Sequence, residues 1–165
     1  MMSKDNAQKV YEVLERLGIT CVQHQHPPVF TVEQAEQHWK NITGAHCKNL
    51  FLRNKKGNRH YLVILEASKQ ADLRTLTKKL GEDRLSFASP ERLMRFLGLE
   101  AGSVSPFGLI NDHQKQVKVI VDSDLKEAEL VNFHPNINTE TVGITYFDFE
   151  KFLSWTGHNV RYVHF

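Results

Sequence analysis

The residues from Ala101 to Asp112, AGSVSPFGLIND, hold the most suggestive chemistry in the chain. The segment is polar and Gly/Ser-rich at its start, is pinned by Pro106, and then turns apolar. Small residues let backbone N–H groups approach a ligand closely, and several such donors can hold a developing negative oxygen. The same local pattern fits a turn followed by a buried strand, and on local grounds that plainer reading weighs more. Ser103 and Ser105 lack a G-x-S-x-G setting, so neither reads as a nucleophile. No G-x-G-x-x-G follows a strand pattern, and no P-loop is present. Cys21 and Cys47 form no C-x-x-C. His24 and His26 share one face of a strand pattern but lack a third ligand at recognisable spacing, so no metal and no cofactor is expected.

The chain around this segment has 165 residues, enough for one domain over residues 1–165 with a substantial core. Apolar residues at 41% and charged residues at 24% are ordinary for a soluble globular protein. No apolar run reaches membrane-span length, and the first residues, MMSKDN, lack the apolar stretch of a secretory signal. A cytosolic protein with two free thiols is therefore expected. A net charge of +2 is too small to imply nucleic-acid binding by itself, although clusters matter more than totals. Lys55, Lys56 and Arg59 crowd one hairpin tip, Lys78, Lys79 and Arg84 a helix end, and Arg92 and Arg95 another helix. Each cluster taken alone reads as solvated surface or as cations near a helix C-terminus.

The elements that must position these residues follow from periodicity and punctuation. A first helix starts after Ser3, with Val10, Val13, Leu14 and Leu17 on one face and Gly18 as its stop. Ile19 to Gln25 reads as a strand, broken by His26-Pro27-Pro28. Thr31 with Gln34 fits a capping box for a helix from Val32 to Trp39. Asn41 to Cys47 reads as loop. Lys48–Asn54 and His60–Leu65 form a hairpin turned at Gly57, with Leu50 and Leu52 facing one way and Asn49, Phe51 and Arg53 the other. Asp72 caps a helix through Leu80, Leu85 to Phe87 is a short strand, and Ser89-Pro90 opens a helix that ends near Gly98. Strands follow at Val117–Val121, Leu130–Phe133 and Thr141–Ile144. A helix from Phe147 to Trp155, stopped by Gly157, and a strand from Val160 to Val163 close the chain. Helices mix with hairpin-linked strands without βαβ repetition, which argues for an α+β fold.

Four segments, in order and at these separations, carry a resemblance. They are His26–Ala35, HPPVFTVEQA; Cys47–Asn54, CKNLFLRN; Gly102–Asp112, taken as loop and strand; and Asn132–Asn136, NFHPN, with Thr141–Ile144, TVGI, behind it. Together they closely resemble the YbaK/prolyl-tRNA synthetase-associated domain family, best of all its free-standing ProX/PrdX branch, over nearly the whole chain from Lys9 to Phe165. The resemblance implies a mixed sheet bent toward a barrel, surrounded by helices. It also implies aminoacyl-tRNA deacylation, in which water cleaves the ester between a wrong amino acid and the terminal adenosine. Alanine on proline tRNA is the favoured substrate, and cysteine on proline tRNA the product that other branches remove.

An aminoacyl ester is already activated, so its hydrolysis needs alignment, a stabilised oxyanion and a base for water. By the resemblance, Lys48 begins the strand after a loop and holds a tRNA phosphate or the substrate end. Gly102, Ser103, Val104 and Ser105 form the loop around the ester carbonyl, with Pro106 fixing its shape. His134 is a pocket histidine that orients the amino group or water or narrows the pocket; on sequence alone, a histidine bonded to backbone is nearly as good a reading. Asn49 is a donor that strand alternation would turn toward the opposite face. Phe30 and Thr31 wall the amino-acid pocket, Phe30 fitting a helix staple or core position equally well. The terminal ribose hydroxyl shares in activating water. Ser105 stands where many relatives carry threonine, and residues 136–140 follow the family pattern loosely. Both departures bear on the preferred amino acid more than on the reaction class. The implied partner is mischarged tRNA, with prolyl-tRNA synthetase or an elongation factor as a transient second one. The competing readings are a non-catalytic tRNA-binding or regulatory module and editing of Cys-tRNA(Pro).

Overall fold

A computed structural model describes residues 2–165 of the chain. Helix α1 spans Met2–Arg16 and buries Ala7, Val10 and Leu14 along one stripe. Gly18, at φ +69°, ends it, and the Ile19 N–H turns back to the Leu14 carbonyl at 2.9 Å. That helix stop uses Ile19, so strand β1 covers only Val22–Gln25 instead of starting at Ile19. Helix α2, Val32–Trp39, follows its Thr31 cap as expected.

Strand β2, Ala45–Asn54, is the frame of the molecule. The sequence places loop through Cys47, but Ala45 and His46 already pair, in parallel, with Val131 and Asn132 of β6 (Leu130–Phe133). Such a contact, made across more than eighty residues, leaves no local signature. Along one edge β2 pairs antiparallel with β3, His60–Glu66, from Cys47↔Glu66 to Arg53↔His60. Its other edge takes β6 at the start and β4, Leu85–Phe87, at the end. Beyond β3 lie β5 (Val117–Asp122) and β8 (Val160–Val163), both in parallel register. Beyond β6 lie β7 (Glu140–Thr145) and then β1. The mixed sheet therefore runs β1-β7-β6-β2-β3-β5-β8, with β4 on the end of β2, and β2 joins its two limbs.

Alternation along β2 sends Phe51 and Leu52 into two different cores. Phe51 joins the larger one, built from α1, helix α4 (Pro90–Leu97), helix α5 (Tyr146–Thr156) and the inner faces of β3, β5, β6 and β7. Leu52 joins the smaller one, under helix α3 (Leu73–Leu80). Asn132 ties the two limbs together: its Nδ2 donates to the Thr43 and Ala45 carbonyls at 3.1 and 3.2 Å. A Cβ on Gly143 would stand 2.7 Å from Asn132 Oδ1, so only glycine leaves room for this clamp.

The stretch from Gly102 to Asp112 is not loop and strand. Pro106–Asn111 forms a 3-10 turn, because the Ser105 hydroxyl accepts the Phe107 N–H at 3.1 Å and Pro106 occupies the first turn. Its apolar residues reach the core without joining the sheet. A second 3-10 turn, Ser123–Glu127, was not expected from the sequence. No helix of the described residues is long and apolar enough to cross a membrane.

Candidate active site

The two registers on the outer edge of β2 leave a gap. Pairing with β6 stops at His46 and pairing with β4 starts at Leu52. Residues Cys47, Lys48 and Asn49 lie in this gap, and all three line one open cavity of about 200 Å³. Lys48 is thus inside the strand and not at its first residue. Asn49 also borders this cavity, on the strand face opposite Lys48 that alternation assigns to it, with its Oδ1 buried.

Helix α2 closes one side. Thr31, Ala35 and Trp39 recur every fourth residue, and all three line the cavity beside Val29 and Phe30. The helix entry is fixed in both directions: the Gln34 N–H donates to Thr31 Oγ1 at 3.1 Å, and the Phe30 N–H donates to Gln34 Oε1 at 2.9 Å. Phe30 is neither staple nor core; it is 70% exposed. Its ring lies beside Gly102, where an added Cβ would stand 3.3 Å from Phe30 Cδ1.

Gly102 and Val104 form the opposite wall. Gly102 has φ +91°, a conformation that glycine adopts without strain. The Ser103 N–H donates to the Glu100 carbonyl at 3.1 Å, whereas those of Gly102 and Val104 find no backbone acceptor among the described residues. Two main-chain dipoles at this wall are thereby left unspent.

His134 completes the lining. Its ring Nδ1–H donates to the Glu140 carbonyl at 2.8 Å, which leaves the lone pair of the neutral ring on Nε2. Burial lowers its pKa below the ordinary histidine value; nearby His26 adds to this and the bond to Glu140 opposes it. His26 itself is tied to the Pro27 carbonyl and the Thr141 hydroxyl, each at 2.9 Å, and stacks on His38 at 5.4 Å. Burial pushes the Cys47 thiol strongly up, so this lining residue stays a thiol and supplies no nucleophile. Lys48 takes part in none of the ion pairs among the described residues. The cavity lining thus includes one unpaired cation, an imidazole acceptor, two residues whose N–H groups lack a backbone acceptor, and Asn49, whose buried Oδ1 lacks a partner.

Seven expected site residues meet here: Phe30, Thr31, Lys48, Asn49, Gly102, Val104 and His134. Three do not line the cavity. Ser103 is buried and faces the adjoining cavity with Asn136 and Asn138. Ser105 is fully buried, and its hydroxyl caps the 3-10 turn. Pro106 is buried in that turn. The residues missed by the sequence reading are Val29, Ala35, Trp39 and Cys47. The every-fourth spacing from Thr31 could have flagged Ala35 and Trp39, and adjacency to Lys48 could have flagged Cys47.

Comparison with known proteins identifies the relatives of the chain. The model of the aminoacyl-tRNA editing domain family matches residues 26–152. The prolyl-tRNA editing protein ProX of Acetoanaerobium sticklandii is 40% identical over 162 residues, covering 98% of this chain and 99% of that protein. Prolyl-tRNA synthetase associated domain-containing protein 1 of Xenopus laevis is 37% identical, covering 99% of each. The crystal structure of a candidate trans-editing enzyme for prolyl tRNA synthetase shares the fold, with a TM-score of 0.71, 24% identity and 97% coverage of both chains. The chain belongs to the aminoacyl-tRNA editing domain family.

Proposed function

We propose that this chain acts as a single editing domain over residues 1–165, a trans-editing hydrolase that removes alanine from Ala-tRNA(Pro) in the cytoplasm. Water adds to the ester carbonyl, the acyl–oxygen bond breaks, and a proton passes to the departing ribose oxygen. Free alanine and intact tRNA result. The Lys48 ammonium grips a phosphate at the acylated 3′ end. The N–H groups of Gly102 and Val104 meet the oxyanion as charge develops, and the Ser105 cap with Pro106 keeps that loop in shape. Ser103 supports the loop from behind. His134 Nε2 accepts from the substrate's amino group or from the attacking water, with Asn49 beside it, and the ribose hydroxyl shares in activating the water. Prolyl-tRNA synthetase or an elongation factor would deliver the substrate by transient contact.

The observation that carries this reading is the gap in β2, where a lysine, an asparagine, two unspent N–H groups and an imidazole from separated segments share one cavity. The names of the ProX and associated-domain relatives support the prolyl-tRNA assignment. Phe30, Thr31 and Val104 border the place for the amino-acid side chain, and a pocket that closes on a methyl group there excludes the larger proline ring by size. The test is single-turnover deacylation of proline tRNA charged in turn with alanine, cysteine, serine and proline. Alanine should be released fastest and proline left in place. Release of cysteine alone would overturn the alanine assignment. Normal tRNA binding with no acceleration over buffer would support the non-catalytic module instead.

A further inference from the structure

The far end of β2 and helix α4 hold a second concentration of chemistry outside the cavity. Arg53, Lys55 and Lys56 lie at the hairpin, and Arg92 and Arg95 on α4. None of the five takes part in an ion pair among the described residues. Carbonyls and rings hold the three arginines in place. Arg92 Nη1 donates to the Gly57 carbonyl at 2.9 Å and to His60 Nε2 at 3.0 Å. Arg53 donates to the Asn54 carbonyl at 3.2 Å and to the Lys55 carbonyl at 2.9 Å. The Arg95 guanidinium stands 5.3 Å over the Phe96 ring, which in turn lies 4.1 Å from the His60 ring. Burial, and then Arg92, Arg53 and Arg95, push the pKa of His60 down to about 4, so this imidazole stays neutral among the cations.

The neighbouring acids are mostly committed elsewhere. Glu82 accepts from Arg59 and from the Tyr61 hydroxyl, and Asp83 accepts the N–H groups of Arg84 and Lys55. Glu91 on α4 forms no ion pair among the described residues. Asp83, beside Lys55, and Glu91 offset only part of this charge, and the excess of cations costs free energy that an anionic ligand recovers. Fixed guanidinium groups suit phosphate in particular. The surface is also placed relative to the cavity. Asn49, Phe51 and Arg53 alternate onto one face of β2, and Asn49 lines the cavity. Arg53 is four residues further along, roughly 13 Å at strand spacing.

We propose that Arg53, Lys55, Lys56, Arg92 and Arg95 form the surface that binds backbone phosphates of the RNA duplex behind the acylated 3′ tail. The inference rests on the deacylase reading above and adds the partner surface to it. The test uses Lys55→Gln/Lys56→Gln/Arg95→Gln, whose exposed side chains make none of the hydrogen bonds just described. The control, Arg16→Gln/Lys118→Gln/Arg161→Gln, removes equal charge from exposed positions elsewhere. Two quantities are measured: binding of uncharged proline tRNA across a salt series, and deacylation of Ala-tRNA(Pro) beside that of a short alanyl-CCA ester.

The hairpin–α4 triple should weaken tRNA binding about tenfold or more at low salt. It should also lower the slope of log affinity against log salt by about 2 to 3. Deacylation of the full tRNA below saturation should fall in step, while hydrolysis of the short ester is unchanged. Equal losses in both triples, or an unaltered salt slope, would overturn the proposal. If the wild type hydrolyses neither substrate, the deacylase reading fails while the binding arms still judge the surface.

Discussion

Both halves of the segment from Ala101 to Asp112 carry small polar residues, and they put their polar groups to opposite use. In the first half, Gly102 and Val104 line the cavity with N–H groups that have no backbone acceptor among the described residues. In the second half, the polar groups are spent on the fold. Ser105 caps the 3-10 turn, and Asp112 accepts the Val117 N–H at 2.8 Å and the His158 ring at 3.0 Å. Phe107 and Leu109 go to the core. Small polar residues in a loop therefore do not mark a site by themselves. What marks it is polar capacity left unspent beside a cavity, and the comparison can be broken or sharpened by changing one half at a time.

The largest effect is expected across the cavity from the first half. Lys48→Ala should cut single-turnover deacylation about 100-fold or more while the far-ultraviolet circular dichroism and melting temperature stay near wild type, since this lysine pairs with no described carboxylate. Wild-type turnover in a folded Lys48→Ala protein would remove the cation from the account. Within the first half, Gly102→Val places a branched side chain at φ +91° with its Cβ 3.3 Å from Phe30 Cδ1. Activity should drop by about tenfold or more, with a stability cost of roughly 1–2 kcal/mol. Unchanged rates would remove this wall from the site.

Acid provides an intermediate effect. His60 titrates near pH 4 in the folded protein, below its ordinary 6.5, and the pKa of His134 is lowered in the same direction. The unfolded chain therefore binds these protons first, and stability falls as pH drops from about 6.5 toward 4. Denaturant titrations at a series of pH values check it, and a flat profile over this range would contradict the burial of neutral imidazoles. The smallest effect belongs to the second half. Ser105→Ala removes only a cap, so it should cost about 1 kcal/mol of stability and leave the chemical step within a few-fold of wild type. A large loss of activity at unchanged stability would move Ser105 from the fold to the chemistry.

Much of the fold was legible because its punctuation is local. The caps at Thr31, Asp72 and Ser89, and the left-handed glycines at 81, 98 and 157, announce helix ends within a few residues. The misreadings involve contacts that local pattern does not encode. β2 starts early because Ala45 meets Val131, and Lys48 therefore falls inside the strand instead of at its start. The 3-10 turn after Ser105 has the apolar content of a strand, but the Ser105 cap, Pro106 and the Gly108 N–H to Ser105 carbonyl bond turn the chain there. The gathering of Phe30, Lys48, Gly102 and His134 was legible only through family resemblance, since no spacing rule joins residues so far apart in the chain. Val29 and Cys47 gave no chemical signal of their own.

The central claim is that the acylated 3′ end lies in the cavity at the β2 gap. Its most direct test is backbone amide chemical-shift mapping with a non-hydrolysable 3′-amide of alanyl-adenosine. The largest shifts should fall on residues 47–49, 102–104 and 134, with little change around the separate cavity lined by Gln70, Lys79 and Phe165. Shifts confined to that separate cavity, or binding that leaves Lys48 and Gly102 unperturbed, would contradict the claim.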